Sequence, residues 1–252
     1  MKTSKWVAHQ RICLEGRINL LCFAYPGGSA GNFATWKKQI DPAINLIPIL
    51  YPEREVRKND PMQATFDQFI TELVEENPEL FELPYAFFGY CGGAVLAYET
   101  AVLVKKRYGK EPVWGMIASS EAPLHLRDSL VAFPNQNAKE DMIAYLISLD
   151  MFDESVLHNP LFLDYYIPLL QADCKLLDTY VHRTHEPLRC DLDILFGEED
   201  TTVAYEKTKK WETVTTGESR FHKCAGGHFF VEQQKELVHG MIHQRLIPGA
   251  SL

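Results

Sequence analysis

The sequence predicts an α/β fold, in which one doubly wound and mainly parallel sheet is covered by helices on both faces. Short apolar runs of strand length alternate with segments whose apolar residues follow helical spacing. The apolar runs are continuous, which is typical of strands buried on both faces of a parallel sheet. Because 252 residues with 46% hydrophobic content can bury a large core, we expect a single domain over residues 1–252.

The composition restricts the partners that this chain can bind. A net charge of −9 disfavours nucleic acid and anionic membranes, because both attract basic protein faces. The N-terminus has no apolar signal segment, and no apolar stretch approaches the roughly 20 residues of a spanning helix. The six cysteines include no Cys-x-x-Cys pair, which disfavours both a disulfide framework and a zinc site. We therefore expect a cytoplasmic protein with free thiols.

The first eighty residues alternate between predicted strands and helices. Residues 18–25 form an apolar run that stops at Pro26 and two glycines. Residues 33–40 and 62–76 have helical patterns, and residues 45–51 are predicted as a second strand. Proline cannot donate to a sheet ladder, so Pro48 predicts that this strand is an edge strand or contains a bulge.

Residues 84–101 pass from an apolar run through a tight turn into a helix, and Cys91 occupies that turn. The pattern Gly89-x-Cys91-x-Gly93 is that of a nucleophile elbow. Glycines two residues before and after the nucleophile prevent collisions on a strained bend. The N–H of Gly92 and the start of the helix dipole are then placed to stabilise a thiolate and an oxyanion. Close packing around a buried cysteine is the alternative interpretation of this motif.

The second half of the chain completes the alternation but contains one long helical interruption. Residues 112–118, 191–197 and 219–224 are predicted as strands, and residues 232–246 as a closing helix. Residues 135–183 show only helical patterns, and we expect this insertion to be a lid over the carboxyl ends of the strands. An ordinary crossover with an extra helix is the alternative. The insertion carries aromatic residues that we expect to be exposed: Phe152, Phe162, Tyr165 and Tyr166.

A base and an orienting acid for the thiol can be found downstream of Cys91. His228 follows the last predicted strand after two glycines, and Asp200 lies in an acidic loop after an earlier strand. The order nucleophile, acid, histidine is that of α/β-hydrolases. Asp200 also suits the N-cap of a helix over residues 201–211. Glu121, which follows another strand, is the alternative acid.

The other histidines lack the context of His228. His239 and His243 stand four residues apart on the closing helix, a spacing that suits a metal ion. Neither has a neighbouring Glu-x-x-His element or a third ligand, so we expect no metal and no cofactor. The remaining histidines are predicted to be surface or core residues.

The chain resembles the type II thioesterases that accompany non-ribosomal peptide and polyketide synthases, which are small α/β-hydrolases with a helical lid. The resemblance covers nearly the whole chain and is carried by these stretches: Cys22–Ala30, Phe88–Gly93 with Ala97 and Glu99, Ser119–Pro123, Gly197–Asp200 and Gly226–Phe230. It implies that Cys91 is the nucleophile, Asp200 the orienting acid and His228 the base. It also implies a monomer that hydrolyses acyl or peptidyl thioesters on the phosphopantetheine arm of a carrier protein.

Two departures from the family pattern concern the reaction itself. The family normally has serine where this chain has Cys91, and an acyl-cysteine is a thioester suited to passing its acyl group to another nucleophile. A non-proline residue before the Gly-Gly pair normally supplies an oxyanion N–H, which Pro26 lacks. We therefore expect either that the N–H of Gly27 completes the oxyanion hole beside that of Gly92, or that the site relies chiefly on the N–H of Gly92. Gly92 replaces the bulkier residues of relatives and predicts extra room beside the thiol.

Three hypotheses follow from these residues. The first is a stand-alone thioesterase that acts through an acyl-Cys91 intermediate. The second is an acyltransferase or cyclase of the same fold, which releases its product by macrocyclisation, amide formation or a Dieckmann-type closure. The third is a catalytically idle protein that binds a synthase. Some related thioesterase domains hold the acid at the position of Glu121, so Asp200 and Glu121 both remain candidates here.

Overall fold

The computed structural model describes residues 4–7, 10–13, 15–126, 138–149, 151–247 and 249. Within these residues, six strands form one sheet in the order β2-β1-β3-β4-β5-β6. All five pairings between neighbouring strands are parallel. The predicted parallel sheet is therefore confirmed. The strands are β1 (Ile18–Phe23), β2 (Ile44–Pro48), β3 (Tyr85–Tyr90), β4 (Trp114–Ala118), β5 (Asp191–Gly197) and β6 (Ser219–Cys224).

Helices connect the strands and cover both faces of the sheet. The α-helices among the described residues are α1 (Phe66–Glu76), α2 (Gly92–Tyr108), α3 (Lys139–Ser148), α4 (Glu154–Leu157), α5 (Pro160–Asp178), α6 (Tyr205–Thr208), α7 (Phe230–Gln233) and α8 (Lys235–Leu246). Short 3₁₀ helices occupy Lys5–Val7, Ala30–Phe33, Thr35–Lys38, Glu55–Arg57, Pro78–Phe81, Pro123–His125 and Lys209–Val214. No helix in the described part of the chain is both long enough and apolar enough to cross a membrane.

Several boundaries differ from the sequence prediction. The helix predicted over residues 33–40 consists of two 3₁₀ helices, and the closing helix begins at Phe230 and is interrupted at Gln234. The segment 201–211 starts with a loop and becomes helical only at Tyr205. β2 lies at the edge of the sheet, as Pro48 predicts.

Two apolar cores lie on opposite faces of the sheet. Successive residues of β3 point to opposite faces, so Phe87 packs in one core and Phe88 in the other. The first core includes α1 and α2, and the second includes Trp36 and α8. Because both faces are covered, β1 and β3 are buried at every position.

Helices α3, α4 and α5 form a third, smaller core of their own. Met142 and Leu146 of α3 pack against Leu163, Tyr166 and other residues of α5. The Tyr166 ring lies 5.1 Å from the Phe152 ring in an edge-on arrangement. The prediction that these aromatic residues are exposed is therefore wrong for Tyr166, which is buried because it anchors this core. Tyr165 is exposed as expected.

Candidate active site

Cys91 lies at a sharp turn between β3 and α2. Its backbone has φ 54° and ψ −126°, a conformation that costs a non-glycine residue about 1–3 kcal/mol. The Cys91 N–H donates to the carbonyl of Ala118 in β4 at 2.9 Å, which fixes the turn to the neighbouring strand. A Cβ at Gly89 would lie 2.4 Å from the Cα of Ala94, and one at Gly93 would lie 2.3 Å from the carbonyl of Ala24. The predicted steric role of both glycines is confirmed.

The structure brings His228 and Asp200 together. The Nδ1 of His228 lies 2.8 Å from Oδ2 of Asp200, and both side chains are buried. The other carboxylate oxygen, Oδ1, accepts hydrogen bonds from the N–H and the hydroxyl of Thr202 at 2.8 and 2.7 Å. Asp200 thus stabilises its own loop with one oxygen and orients the imidazole with the other. Asp200 does not cap a helix, because α6 begins only at Tyr205 and has Ala204 at its N-cap, so the predicted N-cap role is wrong.

Glu121, the alternative acid, makes other contacts. Its Oε1 accepts a hydrogen bond from the N–H of Ala204 at 3.0 Å, and its Oε2 lies 3.4 Å from the ammonium of Lys207. These contacts hold the segment that follows Asp200. Glu121 lines the cavity described below, but the imidazole is oriented by Asp200.

Three further residues position the imidazole and were missed by the sequence interpretation. The carbonyl of His228 accepts hydrogen bonds from the Tyr90 hydroxyl at 3.1 Å and the Ser119 hydroxyl at 2.7 Å. The Thr202 hydroxyl lies 2.9 Å from Nδ1 of His228. Only Tyr90 and Ser119 carried any sequence signal, because each stands at the carboxyl end of a predicted strand. Each of the three residues lies at least 26 residues from His228 in the sequence, so no local pattern reveals these contacts.

Charge interactions control the protonation of the imidazole. Burial favours neutral His228, but the Cys91 thiolate and the Asp200 carboxylate raise the pKa of His228 to about 10. Burial likewise opposes ionisation of Asp200, yet its hydrogen bonds with His228 and Thr202 lower the pKa of that carboxyl. The Nε2 of His228 is buried and has no hydrogen-bond partner among the described residues. This nitrogen is therefore the one available for proton transfer.

Cys91 and His228 line the same cavity, which has a volume of about 290 Å³. This volume is at the small end of the range for ligand pockets. Tyr145 and Leu177 of the helical insertion line this cavity, as do Thr202 and Val203 of the loop after β5. The cavity is lined by Pro26, Cys91, Gly92, Ser119, Ser120, Glu121, Leu126, Tyr145, Ser148, Leu177, Thr201, Thr202, Val203 and His228.

The two predicted oxyanion donors differ in whether their N–H groups already donate to an acceptor in the protein. Gly92 is the first residue of α2, so its N–H has no acceptor within the helix. The N–H of Gly27 instead donates to Oδ2 of Asp173 at 2.7 Å. The prediction that Gly27 offers a free N–H to an oxyanion is therefore wrong for this structure, because a buried carboxylate from α5 occupies it.

The expected room beside Gly92 is also absent. A Cβ at Gly92 would lie 2.5 Å from Cδ1 of Leu177 and 3.1 Å from Cγ of Pro26. The space beside Gly92 is filled by Pro26 and Leu177. A side chain at position 92 would therefore require the end of the Leu177 side chain to move and Pro26 to shift slightly.

The two histidines of the closing helix do not form a metal site. His239 is buried against the ring of Trp36 at 4.7 Å, and burial lowers the pKa of His239 to about 4. The Nε2 of His243 accepts a hydrogen bond from the N–H of Asp41 at 3.0 Å. The described residues contain no cluster of three side chains that could hold a metal ion.

The chain is similar in sequence to several bacterial proteins. It is 27% identical over 248 residues to linear gramicidin dehydrogenase LgrE of Brevibacillus parabrevis, a match that covers 96% of this chain and 93% of LgrE. It is also 27% identical over 230 residues to thioesterase PikA5 of Streptomyces venezuelae, with coverage of 91% and 81%.

The fold is similar to that of solved thioesterases. The type II thioesterase BorB from the borrelidin biosynthetic cluster superposes with a TM-score of 0.85 at 24% identity, covering 98% of this chain and 99% of BorB. The sequence model of the thioesterase domain family matches residues 18–246, a span that contains the elbow, Asp200 and His228. This chain therefore belongs to the thioesterase family, whose members share the α/β-hydrolase fold.

Proposed function

We propose that this protein is a stand-alone thioesterase that cleaves acyl or peptidyl thioesters on the phosphopantetheine arm of carrier proteins, in non-ribosomal peptide or polyketide biosynthesis. One observation carries the proposal. In a chain of the thioesterase family, an unpartnered imidazole nitrogen and a half-buried thiol on a strained elbow line one cavity. The names of PikA5 and BorB, both thioesterases, support the same substrate class.

The proposed first step transfers the acyl group from the carrier to Cys91. The Nε2 of His228 accepts the thiol proton, and the sulfur attacks the thioester carbonyl. The N–H of Gly92 and the dipole of α2 stabilise the oxyanion of the tetrahedral intermediate. The intermediate collapses by expelling the phosphopantetheine thiolate, which takes the proton from His228 and leaves as a thiol. Cys91 then carries the acyl group as a thioester.

Hydrolysis of the acyl-enzyme uses the same histidine in a different state. Acylated Cys91 carries no charge, so the interaction that most strongly raises the pKa of His228 is removed. The neutral imidazole can then accept a proton from water as the hydroxide attacks the acyl carbonyl. Breaking the carbon–sulfur bond releases the carboxylic acid, and Cys91 recovers its proton from His228. Asp200 keeps the ring in the required tautomer throughout.

We further propose that the chain is a single domain and that its insertion over residues 135–183 is a lid. Within the described part of this insertion, Tyr145 of α3 and Leu177 of α5 form part of the cavity wall beside Cys91. A wall from these helices restricts the access of water to the reacting sulfur. The acyl group is thus enclosed while the carrier protein stays outside.

Transfer to an acceptor other than water is a second candidate, and two observations favour it. The nucleophile is a thiol, so the acyl-enzyme is a thioester of about the same energy as the substrate. Pro26 has no N–H and the Gly27 N–H is occupied, so Gly92 faces the oxyanion without help from that loop. Slower hydrolysis leaves time for an amine or carbon nucleophile to attack.

Product analysis distinguishes these candidates. Purified protein and a Cys91→Ala variant are incubated with acyl-phosphopantetheine thioesters of several chain lengths, and the small-molecule products are identified by mass spectrometry. Free acid that depends on Cys91 is the expected result of the thioesterase. Cyclised or transferred product with little free acid would support the second candidate. No acyl-enzyme and no product at any chain length would overturn both and support a protein that only binds a synthase.

A further inference from the structure

A buried ion pair lies next to the loop that carries Pro26. Arg54, which follows β2, and Asp173, in α5, have side chains that are 0% and 5% exposed. One guanidinium nitrogen, Nη1, donates to Oδ2 of Asp173 at 2.9 Å, and the other, Nη2, donates to Oδ1. This two-point contact fixes the relative orientation of both side chains. It joins segments that are 119 residues apart in sequence.

The same two side chains hold the backbone of the loop after β1. The Gly27 N–H donates to Oδ2 of Asp173 at 2.7 Å, and Nη1 of Arg54 donates to the carbonyl of Gly28. The backbone of Gly27 has φ +79°, and a Cβ there would lie 2.6 Å from the hydroxyl oxygen of Tyr166. The loop is therefore held at one N–H and one C=O, and it lies close against α5.

This clamped loop forms part of the wall around the reacting sulfur. Pro26 lines the cavity with Cys91 and lies against the space beside Gly92. Leu177, which fills the rest of that space, is four residues beyond Asp173 and so lies on the same side of α5. Helix α5 thus contacts the loop through Asp173 and the elbow through Leu177.

A purely structural anchor would not need these charges. Burying an ion pair gains little stability over well-packed apolar residues, because both ions lose their hydration. What the pair supplies is fixed geometry for two backbone groups of the loop, one and two residues after Pro26. Fixed geometry matters here, because the part of the cavity wall formed by Pro26 faces the acyl carbonyl of the proposed substrate.

We propose that Asp173 and Arg54 are positioning residues, which form a latch that holds α5 on the Pro26–Gly28 loop and so sets the cavity wall beside Cys91. This inference rests on the proposed thioester cleavage at Cys91. The latch acts through the loop and α5, and neither of its side chains takes part in bond making.

Two measurements on Asp173→Asn test the latch. This variant keeps the shape of the side chain but removes its charge. We expect kcat per titrated Cys91 thiol to fall roughly ten- to a hundredfold with KM changed less than threefold, because small displacements at a reacting centre have effects of this size. We also expect the Gly27 amide to exchange its hydrogen at least tenfold faster, as followed by NMR.

Asp193→Asn is the matched control. Asp193 is also a buried carboxylate bonded to an arginine, but its partners His222, Trp114 and Arg245 surround β5 away from the loop. We expect this variant to lose stability while kcat per titrated thiol stays within twofold and Gly27 exchange is unchanged. If Asp173→Asn does not fold, Arg54→Lys keeps the charge and removes the two-point contact, and the same changes are expected.

The outcomes separate the latch from the proposed function. Wild-type protein that cleaves no thioester would overturn the function, while Gly27 exchange would still decide whether the latch exists. Unchanged exchange in both latch variants would overturn the latch whatever the activity. Faster exchange with unchanged kcat per titrated thiol in a wild type that turns over would reduce the pair to a structural anchor and overturn its positioning role.

Discussion

Two histidine–aspartate pairs lie at β5 and β6, and they differ in what surrounds them. His228 and Asp200 follow the carboxyl ends of these strands and are 2.8 Å apart. His222 and Asp193 lie within the strands and are 2.6 Å apart. Distance alone would give both pairs the same rank as candidates for acid–base chemistry.

The partners of each aspartate separate the two pairs. Asp193 also accepts hydrogen bonds from Trp114 at 2.7 Å and Arg245 at 2.8 Å, and the ring of His222 is 34% exposed. His228 instead has a buried Nε2 without a partner among the described residues, and it shares a cavity with Cys91. The comparison shows that a short histidine–aspartate contact does not by itself identify a base. The histidine of such a pair becomes a candidate base only where its second nitrogen faces a nucleophile.

Replacing each histidine in turn gives the largest expected difference. His228→Ala removes the proton acceptor of the proposed reaction, so kcat/KM should fall by about 10⁴-fold. His222→Ala removes a surface contact of the structural pair and should change kcat/KM less than threefold. Steady-state release of thiol from an acyl-phosphopantetheine thioester measures both. Equal losses in the two variants would contradict the distinction between the pairs.

The acids provide the next test. Asp200→Asn should lower kcat by about 10²–10³-fold, because the imidazole loses its orienting carboxylate. We expect a smaller loss than for a serine enzyme, since a thiol is intrinsically the better nucleophile. Glu121 is the neighbouring carboxylate on the cavity wall, and Glu121→Gln should keep kcat within fivefold. A dead Glu121→Gln variant beside an active Asp200→Asn variant would reverse the assignment of the acid.

The pair formed by His222 and Asp193 should instead affect how the stability of the protein depends on pH. Burial opposes ionisation of Asp193, but hydrogen bonds from His222, Arg245 and Trp114 lower the pKa of Asp193 to about 2. A lowered carboxyl pKa contributes stability above the unfolded value of about 4, and this contribution is lost as pH falls towards 2. Urea unfolding at pH 5 and pH 2 should show a loss of about 2 kcal/mol from this group. Asp193→Asn should lack that part of the loss, and an unchanged pH dependence would contradict the account.

The smallest expected change in rate concerns Pro26, which lines the cavity beside Cys91. Pro26→Ala adds a backbone N–H on the cavity wall beside Cys91, so hydrolysis should accelerate about tenfold. Release of free acid measures the effect. A slower Pro26→Ala variant would show that the ring of Pro26 serves the site better than a donor does.

Much of the architecture follows from short-range patterns. The bounds of β5 and β6 agree with the predicted strands, because each is a run of strand length with clear turn residues around it. The elbow is equally local, since Gly89, Cys91 and Gly93 lie within five residues. Parallel strands bring their carboxyl ends to one edge, so the proximity of Asp200 and His228 also follows from the chain order.

The errors concern contacts between distant segments. The bond from Gly27 to Asp173 spans 146 residues, and no local pattern around either residue reveals it. The space beside Gly92 is filled by Leu177 for the same reason. Helix α5 supplies both Asp173 and Leu177, so the missed features share one cause: the docking of the helical insertion depends on tertiary packing.

The most direct test of the central claim is the intact mass of the protein after brief mixing with an acyl-phosphopantetheine thioester. We predict that the mass increases by one acyl group, that peptide mapping places the group on Cys91, and that Cys91→Ala gives no adduct. His222→Ala should acylate like the wild type, whereas His228→Ala should acylate far more slowly. An acyl group on another residue, or thioester cleavage that persists in Cys91→Ala, would contradict the account.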